Sequence, residues 1–177
     1  MTDVRAHSVL RLLACAAVAI VAELLLASAV PAQAADAADL AEGMRLFQQK
    51  GNCQACHGWA GDGRKMDNQM PDGTNLREIK RDRGALAMVI KCGLPGTGMP
   101  AFDRLAYGDG RCYGKKQADL QALGVRMFDP PATLQPREVE TLIDFLLAKI
   151  IGKGAMDRAQ CAEYWGSEVE TCREFPQ

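Results

Sequence analysis

Two cysteines and a histidine lie within five consecutive positions of the chain, in the segment Cys53-Gln54-Ala55-Cys56-His57. This C-x-x-C-H spacing is typical of covalent c-type haem attachment. Two thiols three residues apart can form thioether bonds to the two vinyl groups on one side of a porphyrin. The adjacent imidazole is then placed to ligate the iron. The motif therefore predicts one covalently bound haem c, with Cys53 and Cys56 as its attachment points and His57 as an iron ligand.

Two other interpretations of these cysteines are weaker. A redox-active C-x-x-C pair would need a thioredoxin-like βαβ context, and no alternating strand pattern surrounds the motif. A zinc site would need further paired cysteine or histidine ligands. His57 is the only histidine beyond the first 34 residues.

The start of the chain carries an export signal. Arg5 and Arg11 precede an almost wholly apolar run, Leu12–Val30, which is interrupted by Glu23 and followed by Ala32-Gln33-Ala34. A basic segment, an apolar run and a small-residue cleavage site predict a signal peptide over residues 1–34. The alternative is an uncleaved membrane anchor, because 19 residues can span a bilayer. Cleavage predicts a periplasmic protein without stable membrane association, in a compartment where disulfides form.

The composition excludes two broad classes of protein. The 177 residues include 21 Lys and Arg against 22 Asp and Glu, a net charge of −1. A nucleic-acid-binding protein would show a basic excess, so no nucleic-acid partner is predicted. The hydrophobic content of 48% is too high for an intrinsically disordered chain.

Apolar periodicity predicts three helices and no strand, which gives an all-α fold. The first spans about Leu40–Lys50 with Asp39 as its cap, and the second spans about Arg83–Lys91 with Asp82 as its cap. The third and strongest runs from Pro136 to about Ile150. Residues 58–75 and 93–114 are rich in turn-forming residues and are predicted loops. Because long loops in a compact domain need an organiser, they also favour a bound cofactor.

These features in this order resemble the class I cytochrome c family over about residues 39–151. The family consists of small all-helical electron carriers in which haem is the centre of the core and the first and last helices cross. The resemblance implies that Gly43 and Phe47 contact the Ile143–Leu147 region, with Gly43 allowing close approach because it has no Cβ. The segments that carry it are Gly43 and Phe47, Cys53 to Gly63, Gly98-Met99-Pro100-Ala101-Phe102 and the last helix with Phe145.

The second axial ligand of the iron must come from methionine, lysine, asparagine or the main chain, since His57 is already used. Met99 is the predicted ligand, because Gly98 and Pro100 flank it on a loop and cytochromes c use His/Met ligation. The remaining methionines that bear on this choice are Met66, Met70 and Met127, in loops without the Gly-Met-Pro setting, and Met44, Met88 and Met156, assigned to core filling.

The partner of the second ring nitrogen of His57 stays open at this stage. In the family a proline carbonyl in the loop after the haem motif accepts this hydrogen bond. Pro71 is the nearest proline, whereas the alignment through Asn75-Leu76 places Thr74 where the proline usually stands.

Four further cysteines, Cys92, Cys112, Cys161 and Cys172, allow three pairings into disulfides. Their separations along the chain favour Cys92–Cys112, which closes a loop containing Met99, and Cys161–Cys172, which ties a short C-terminal extension. Four buried thiols or a four-cysteine zinc site are the alternatives, and export and the wide spacing disfavour them.

Although the net charge is close to zero, positive and negative residues are unevenly distributed along the chain. Residues 77–91 carry a net charge of +3 and residues 135–177 a net charge of −3. The positive stretch leads into the Met99 loop, with Lys115 and Lys116 nearby. It predicts a basic rim that steers a redox partner with an acidic surface. The alternative is an ordinary solvated surface.

The predicted organisation is a signal peptide at 1–34, a cytochrome c domain at 35–154 and a C-terminal extension at 155–177. The resemblance implies a periplasmic one-electron carrier between a dehydrogenase or respiratory complex and an oxidase or another carrier. Such a carrier is not itself an enzyme, so no small-molecule substrate is predicted. A quinoprotein alcohol dehydrogenase is a donor by family analogy. The alternatives are a haem enzyme or gas sensor with an open iron site, and a membrane-anchored subunit of a larger oxidoreductase that retains Leu12–Val30.

Overall fold

The computed structural model describes residues 36–167 and 169–177. The predicted signal peptide and the alternative anchor Leu12–Val30 lie outside the described residues. Within the described ranges, no helix is both long enough and apolar enough to cross a membrane.

The described residues form six α-helices and no β-strand, which confirms the all-α prediction. Residues 58–75 and 93–114 contain no helix, as predicted. The helices are α1 (Ala37–Arg45), α2 (Gln54–His57), α3 (Arg83–Cys92), α4 (Gln117–Ala122), α5 (Pro136–Lys149) and α6 (Arg158–Trp165), with a π-helical continuation of α1 at Leu46–Lys50 and a 3-10 turn at Glu170–Glu174.

The predicted starts of α3 and α5 are confirmed, whereas the predicted start of α1 is wrong. The carboxylate of Asp82 accepts a hydrogen bond from the Ala85 N–H at 2.8 Å, as an N-cap does. Helix α1 is instead capped by Asp36, whose carboxylate accepts from the Asp39 N–H at 2.8 Å. Two alanines follow Asp36, and their high helix propensity extends the helix so that Asp39 lies in its first turn.

Helices α1 and α5 cross at Gly43, as the resemblance implied. A side chain on Gly43 would place its Cβ 2.7 Å from the Thr141 carbonyl oxygen and would also overlap Phe145. The rings of Phe47 and Phe145 lie beside this crossing, with centroids 5.9 Å apart. The crossing lies in the main core, whose members include Leu46, Phe47, Phe102, Leu142, Ile143, Phe145, Leu146, Ile150 and Tyr164.

The two predicted disulfides, Cys92–Cys112 and Cys161–Cys172, are both present, each with a Cα–Cα distance of 5.4 Å. The first links the end of α3 to the far end of the loop that contains Met99. It also lies in a second, smaller apolar cluster with Tyr107 and Leu120. The second links α6 to the 3-10 turn and therefore ties the C-terminal extension to itself.

Two methionines assigned to core filling pack as expected, and one does not. Met156 is buried, and Met44 packs half-buried against the main core. Met88 is 41% exposed, so its assignment to the core is wrong. Met88 fits the apolar pattern of α3 in the sequence, but the rest of the protein covers only the side of the helix that carries Leu86 and Ile90.

Candidate haem-binding site

The C-x-x-C-H segment forms one turn of helix between two sharp bends. The Cys53 N–H donates to the Phe47 carbonyl at 2.8 Å, which joins the motif to the end of the first helical segment. The His57 N–H donates to the Cys53 carbonyl at 2.9 Å and closes the turn. Residues three apart on a helix share a face, so the turn presents the Cys53 and Cys56 thiols on the same side. Gly58 then reverses the chain with a φ of 78°.

Cys53 and Cys56 are the free cysteines of the described residues, whereas the other four are paired in disulfides. Burial raises the pKa of the Cys53 thiol to about 12 and also raises that of Cys56, where nearby Lys65 opposes the shift. A redox-active C-x-x-C needs a lowered thiol pKa, so this environment disfavours that alternative. Two adjacent unpaired thiols in a chain rich in disulfides fit covalent attachment of haem.

His57 is held by the main chain through one ring nitrogen. Its Nδ1–H donates to the Thr74 carbonyl oxygen at 2.8 Å, so Thr74, and not Pro71, is the partner that the sequence left open. Burial lowers the pKa of His57, and the hydrogen bond to Thr74 opposes that shift. A neutral imidazole that donates from Nδ1 keeps the Nε2 lone pair for a metal.

Gly73 explains how the Thr74 carbonyl comes so close to the ring. A Cβ at this position would lie 2.6 Å from the Cys56 carbonyl oxygen and 2.8 Å from His57 Nδ1. The Gly73 N–H donates to that same Cys56 oxygen at 3.1 Å. The loop after the motif therefore folds directly onto the haem-attachment turn, and a glycine is required at the point of contact.

The loop that carries Met99 is short and closed by its own hydrogen bonds. The Leu94 N–H donates to the Met99 carbonyl at 3.1 Å, and the Met99 N–H donates to the Thr97 hydroxyl at 3.1 Å. The Phe102 N–H donates to the Ile90 carbonyl at 3.1 Å, which returns the chain to α3. Met99 itself is half-buried and packs against the main core.

The structure brings this loop to the attachment motif at two points. Gly98 lies against the ring of Pro71, where no side chain on Gly98 would fit. Gly51 lies between the motif and the loop, since a Cβ there would be 3.1 Å from Cys53 Sγ and 3.7 Å from Phe102 Cε1. Of the four predicted site residues, Cys53 and Met99 thus pack against the same core, and the Met99 loop contacts the loop that follows the motif. The role of Met99 as the second axial ligand stays a prediction.

The C-terminal extension packs on Trp59, the second residue after His57. The Trp59 ring lies 5.4 Å from the ring of Tyr164, 5.5 Å from that of Trp165 and 6.0 Å from that of Phe175. Tyr164 is 3% exposed, and its hydroxyl donates to the Trp59 carbonyl at 2.7 Å. The only sequence signal was the presence of aromatic residues near Cys161.

The basic stretch over residues 77–91 is smaller at the surface than its composition predicts. Arg77 is buried, and Arg83 forms ion pairs with Glu140 and Asp144 on α5. Lys80 and Arg81 stay exposed and form no ion pair with any residue that the structure describes. The predicted contribution of Arg77 to a basic rim is therefore wrong, because the folded chain uses it internally.

The donor set fits a covalently attached haem. Two free thiols lie on one helical turn, one imidazole has its second nitrogen fixed by a carbonyl, and a methionine loop packs on the same core. In the described ranges, no group of three or more His, Cys, Asp or Glu side chains is arranged to hold a bare metal ion.

Comparison with known proteins agrees with this geometry. Residues 38–112 match the family model described as "Cytochrome C oxidase, cbb3-type, subunit III". The match spans α1, the attachment motif, α3 and the Met99 loop up to Cys112. Neither the curated proteins nor the solved structures contain a match to the chain. The fold, the motif geometry and the match over residues 38–112 together identify a cytochrome c domain of the monohaem c-type family in this part of the chain, in agreement with the class I cytochrome c resemblance.

Proposed function

We propose that this protein is a periplasmic one-electron carrier with one haem c, attached through Cys53 and Cys56 and ligated by His57 and Met99. The observation that carries the proposal is the pair of free thiols on the turn whose histidine donates its Nδ1–H to Thr74. The matched family supports the coarser role of electron carriage.

The chain's own residues would act by fixing the surroundings of the iron. When bound, the haem supplies a one-electron Fe(III)/Fe(II) couple. Thr74 holds the His57 imidazole in one orientation, and the closed loop around Met99 holds a thioether that favours ferrous iron. The aromatic residues packed around Trp59 join the C-terminal extension to the turn after the motif. Two fixed ligands and a packed core allow a change of oxidation state with little rearrangement.

The first test is covalent attachment in a bacterial host that has the c-type cytochrome maturation system. We expect the full chain to yield a periplasmic protein whose mass includes one haem and excludes residues 1–34. Its absorption in alkaline pyridine should show thioether-linked haem. Cys53→Ala/Cys56→Ala should carry no covalent haem, while the matched control Cys161→Ala/Cys172→Ala should keep it. Equal haem content in both double variants would refute the assignment of the motif.

The second test concerns the sixth ligand. The oxidised protein should show the methionine-sulfur charge-transfer band and a low-spin iron. Met99→Leu should lose that band and become high-spin, because leucine has no donor atom. Met66→Leu is the matched control, since Met66 is also on a loop but 59% exposed. A high-spin iron in the unmodified protein would favour a haem enzyme or gas sensor instead.

The electron donor that we propose is a dehydrogenase or a respiratory complex, with a quinoprotein alcohol dehydrogenase as the first to try. An acidic partner surface would be steered by exposed cations on either side of the Met99 loop along the chain, namely Lys80, Arg81, Lys115 and Lys116. Electron-transfer rates with such a partner should fall as ionic strength rises. A rate that is independent of salt would remove the steering part of the proposal.

A second candidate is a subunit of a membrane-bound oxidase, and the description of the matched family model favours it. In that case Leu12–Val30 would be retained as an anchor. The mass of the purified chain and its partition between membrane and periplasm separate the two candidates. A full-length chain in the membrane fraction would favour the subunit.

A further inference from the structure

Arg77 is a buried arginine on the segment that supplies the hydrogen-bond partner of His57. It is 2% exposed, although arginine is almost never fully buried without a charged partner. Among the described residues it forms no ion pair. A long cationic side chain in this position needs a set of acceptors built to receive it.

Those acceptors all lie at the end of α5 or in the chain beyond it. Arg77 Nε donates to the Gly154 carbonyl at 2.6 Å and Nη1 to the Lys149 carbonyl at 3.4 Å. Nη2 donates to the side-chain oxygen of Gln160. The Gly154 N–H returns a hydrogen bond to the Arg77 carbonyl at 3.0 Å. The planar guanidinium thus joins three chain positions that a single ammonium could not reach together.

On its other side, the segment from residue 73 to 77 is bound to the haem-attachment region. The Gly73 N–H donates to Cys56, and the Leu76 N–H donates to the Gly61 carbonyl at 2.7 Å. The Arg77 N–H donates to the Asn75 side-chain oxygen at 3.0 Å. Thr74, whose carbonyl receives the Nδ1–H of His57, lies in the middle of this short segment.

The C-terminal extension, which supplies Gln160 to Arg77, is itself cross-linked. The Cys161–Cys172 disulfide closes it, and the Arg158 N–H donates to the Pro176 carbonyl at 2.9 Å. The Gln160 N–H is held by the Asp157 carboxylate at 2.7 Å, which fixes the residue whose side chain accepts from Arg77. Arg77 therefore connects the end of α5 and the cross-linked extension to the Thr74 segment.

We propose that Arg77 is a positioning residue for His57, which uses the end of α5 and the C-terminal extension as an anchor to hold the Thr74 carbonyl against the imidazole. The inference rests on the proposed role of His57 as an iron ligand. A strong hydrogen bond from Nδ1–H makes the imidazole a better donor and stabilises the ferric state. Loosening the Thr74 segment weakens that bond and raises the reduction potential.

Two variants test this, Arg77→Lys and Gln160→Leu. The lysine keeps the positive charge, so the field at the iron is retained while the planar fork is lost. Gln160→Leu leaves Arg77 in place and removes one of its acceptors, so it tests the inference even if Arg77→Lys fails to fold. In both we expect a higher reduction potential. We also expect exchange of the His57 Nδ1–H with solvent, followed by NMR in the reduced protein, to become about tenfold faster.

The matched control is Arg83→Lys, which removes an arginine fork at the surface that pairs with Glu140 and Asp144. It should leave both readouts unchanged. Exchange of the Ile143 amide, in the middle of α5, reports any general loss of stability. Unchanged potential and Nδ1–H exchange in both test variants would overturn the inference, as would acceleration at Ile143 equal to that at His57.

The failure of this inference and the failure of the proposed function are distinguishable. If the unmodified protein carries no covalent haem, the proposed function fails. If it carries haem with a His/Met spectrum and the variants match it in both readouts, only the role of Arg77 fails.

Discussion

Substituting Gly43 by alanine tests the crossing of α1 and α5, because two known effects act there with opposite sign. In an isolated helix the change stabilises by about 1 kcal/mol, since alanine has the higher helix propensity. In the folded protein the new Cβ would lie 2.7 Å from the Thr141 carbonyl oxygen and 3.2 Å from Phe145 Cγ. The oxygen belongs to the backbone of the opposing helix and can only move if the helices separate.

Overpacking of this kind costs about 1–3 kcal/mol, and more where backbone must shift. Because backbone must shift here, the cost lies in the upper part of this range, about 2–3 kcal/mol. After the propensity gain of about 1 kcal/mol is subtracted, we expect Gly43→Ala to lower the free energy of unfolding by about 1–2 kcal/mol. For a folded domain of this size the melting temperature should fall by about 3–8 °C. Urea denaturation and thermal melts of the oxidised, haem-loaded protein, followed by circular dichroism, measure the change.

Gly84→Ala provides the matched control. Gly84 lies in the first turn of α3, where a Cβ would meet only the Asp82 carboxylate at an ordinary 3.5 Å. The same substitution should there be neutral or stabilising by up to about 1 kcal/mol. Our account of the crossing is refuted if Gly43→Ala is as stable as the unmodified protein, or if both variants shift stability in the same direction.

Three further predictions concern cross-links and polar contacts. Replacing Cys92 and Cys112 by alanine should lower the free energy of unfolding by about 3 kcal/mol, because the disulfide no longer restricts the unfolded chain. The same variant should show a weaker methionine-sulfur band, and the Tyr164→Phe variant is the control for that band. Tyr164→Phe should lower the free energy of unfolding by about 1 kcal/mol in urea denaturation, because the Trp59 carbonyl loses its hydrogen-bond donor; an unchanged free energy of unfolding would contradict the hydrogen bond. The pKa of Glu138 is lowered chiefly by its hydrogen bond to the Lys50 ammonium. The contribution of this ion pair to folding stability is therefore present above the ordinary carboxyl range and disappears as pH falls through the lowered pKa. Glu138→Gln keeps an acceptor for the helix cap, so the stability difference from the unmodified protein should shrink as pH falls below about 4, and a difference constant with pH would contradict the ion pair.

Local signals predicted most of the helical framework. Asp82 and Gly93 flank α3, and Pro136 begins α5, because caps and first-turn prolines act within a few residues of the chain. The two disulfides were also predicted, since closing short loops costs the least chain entropy. The attachment motif was recognisable because its chemistry requires consecutive residues.

Features that depend on contacts between distant segments were not predictable in this way. The burial of Arg77 depends on carbonyls more than 70 residues away along the chain. Helix α6 carries no regular apolar stripe, so the periodicity that predicted the other long helices gave no signal there. The exposure of Met88 depends on which side of α3 the rest of the chain covers. The Thr74 carbonyl is a main-chain group, and any residue type could have supplied it.

The aromatic packing around Trp59 decides what an optical experiment on this protein reports. The chain contains two tryptophans, and Trp59 and Trp165 lie with ring centroids 5.5 Å apart. All tryptophan emission therefore originates at one contact, between the turn after the haem motif and the C-terminal extension. Tryptophan fluorescence therefore monitors the docking of that extension more directly than the crossing at Gly43. Unfolding curves recorded by emission and by circular dichroism will coincide only where the extension and the helical core come apart together.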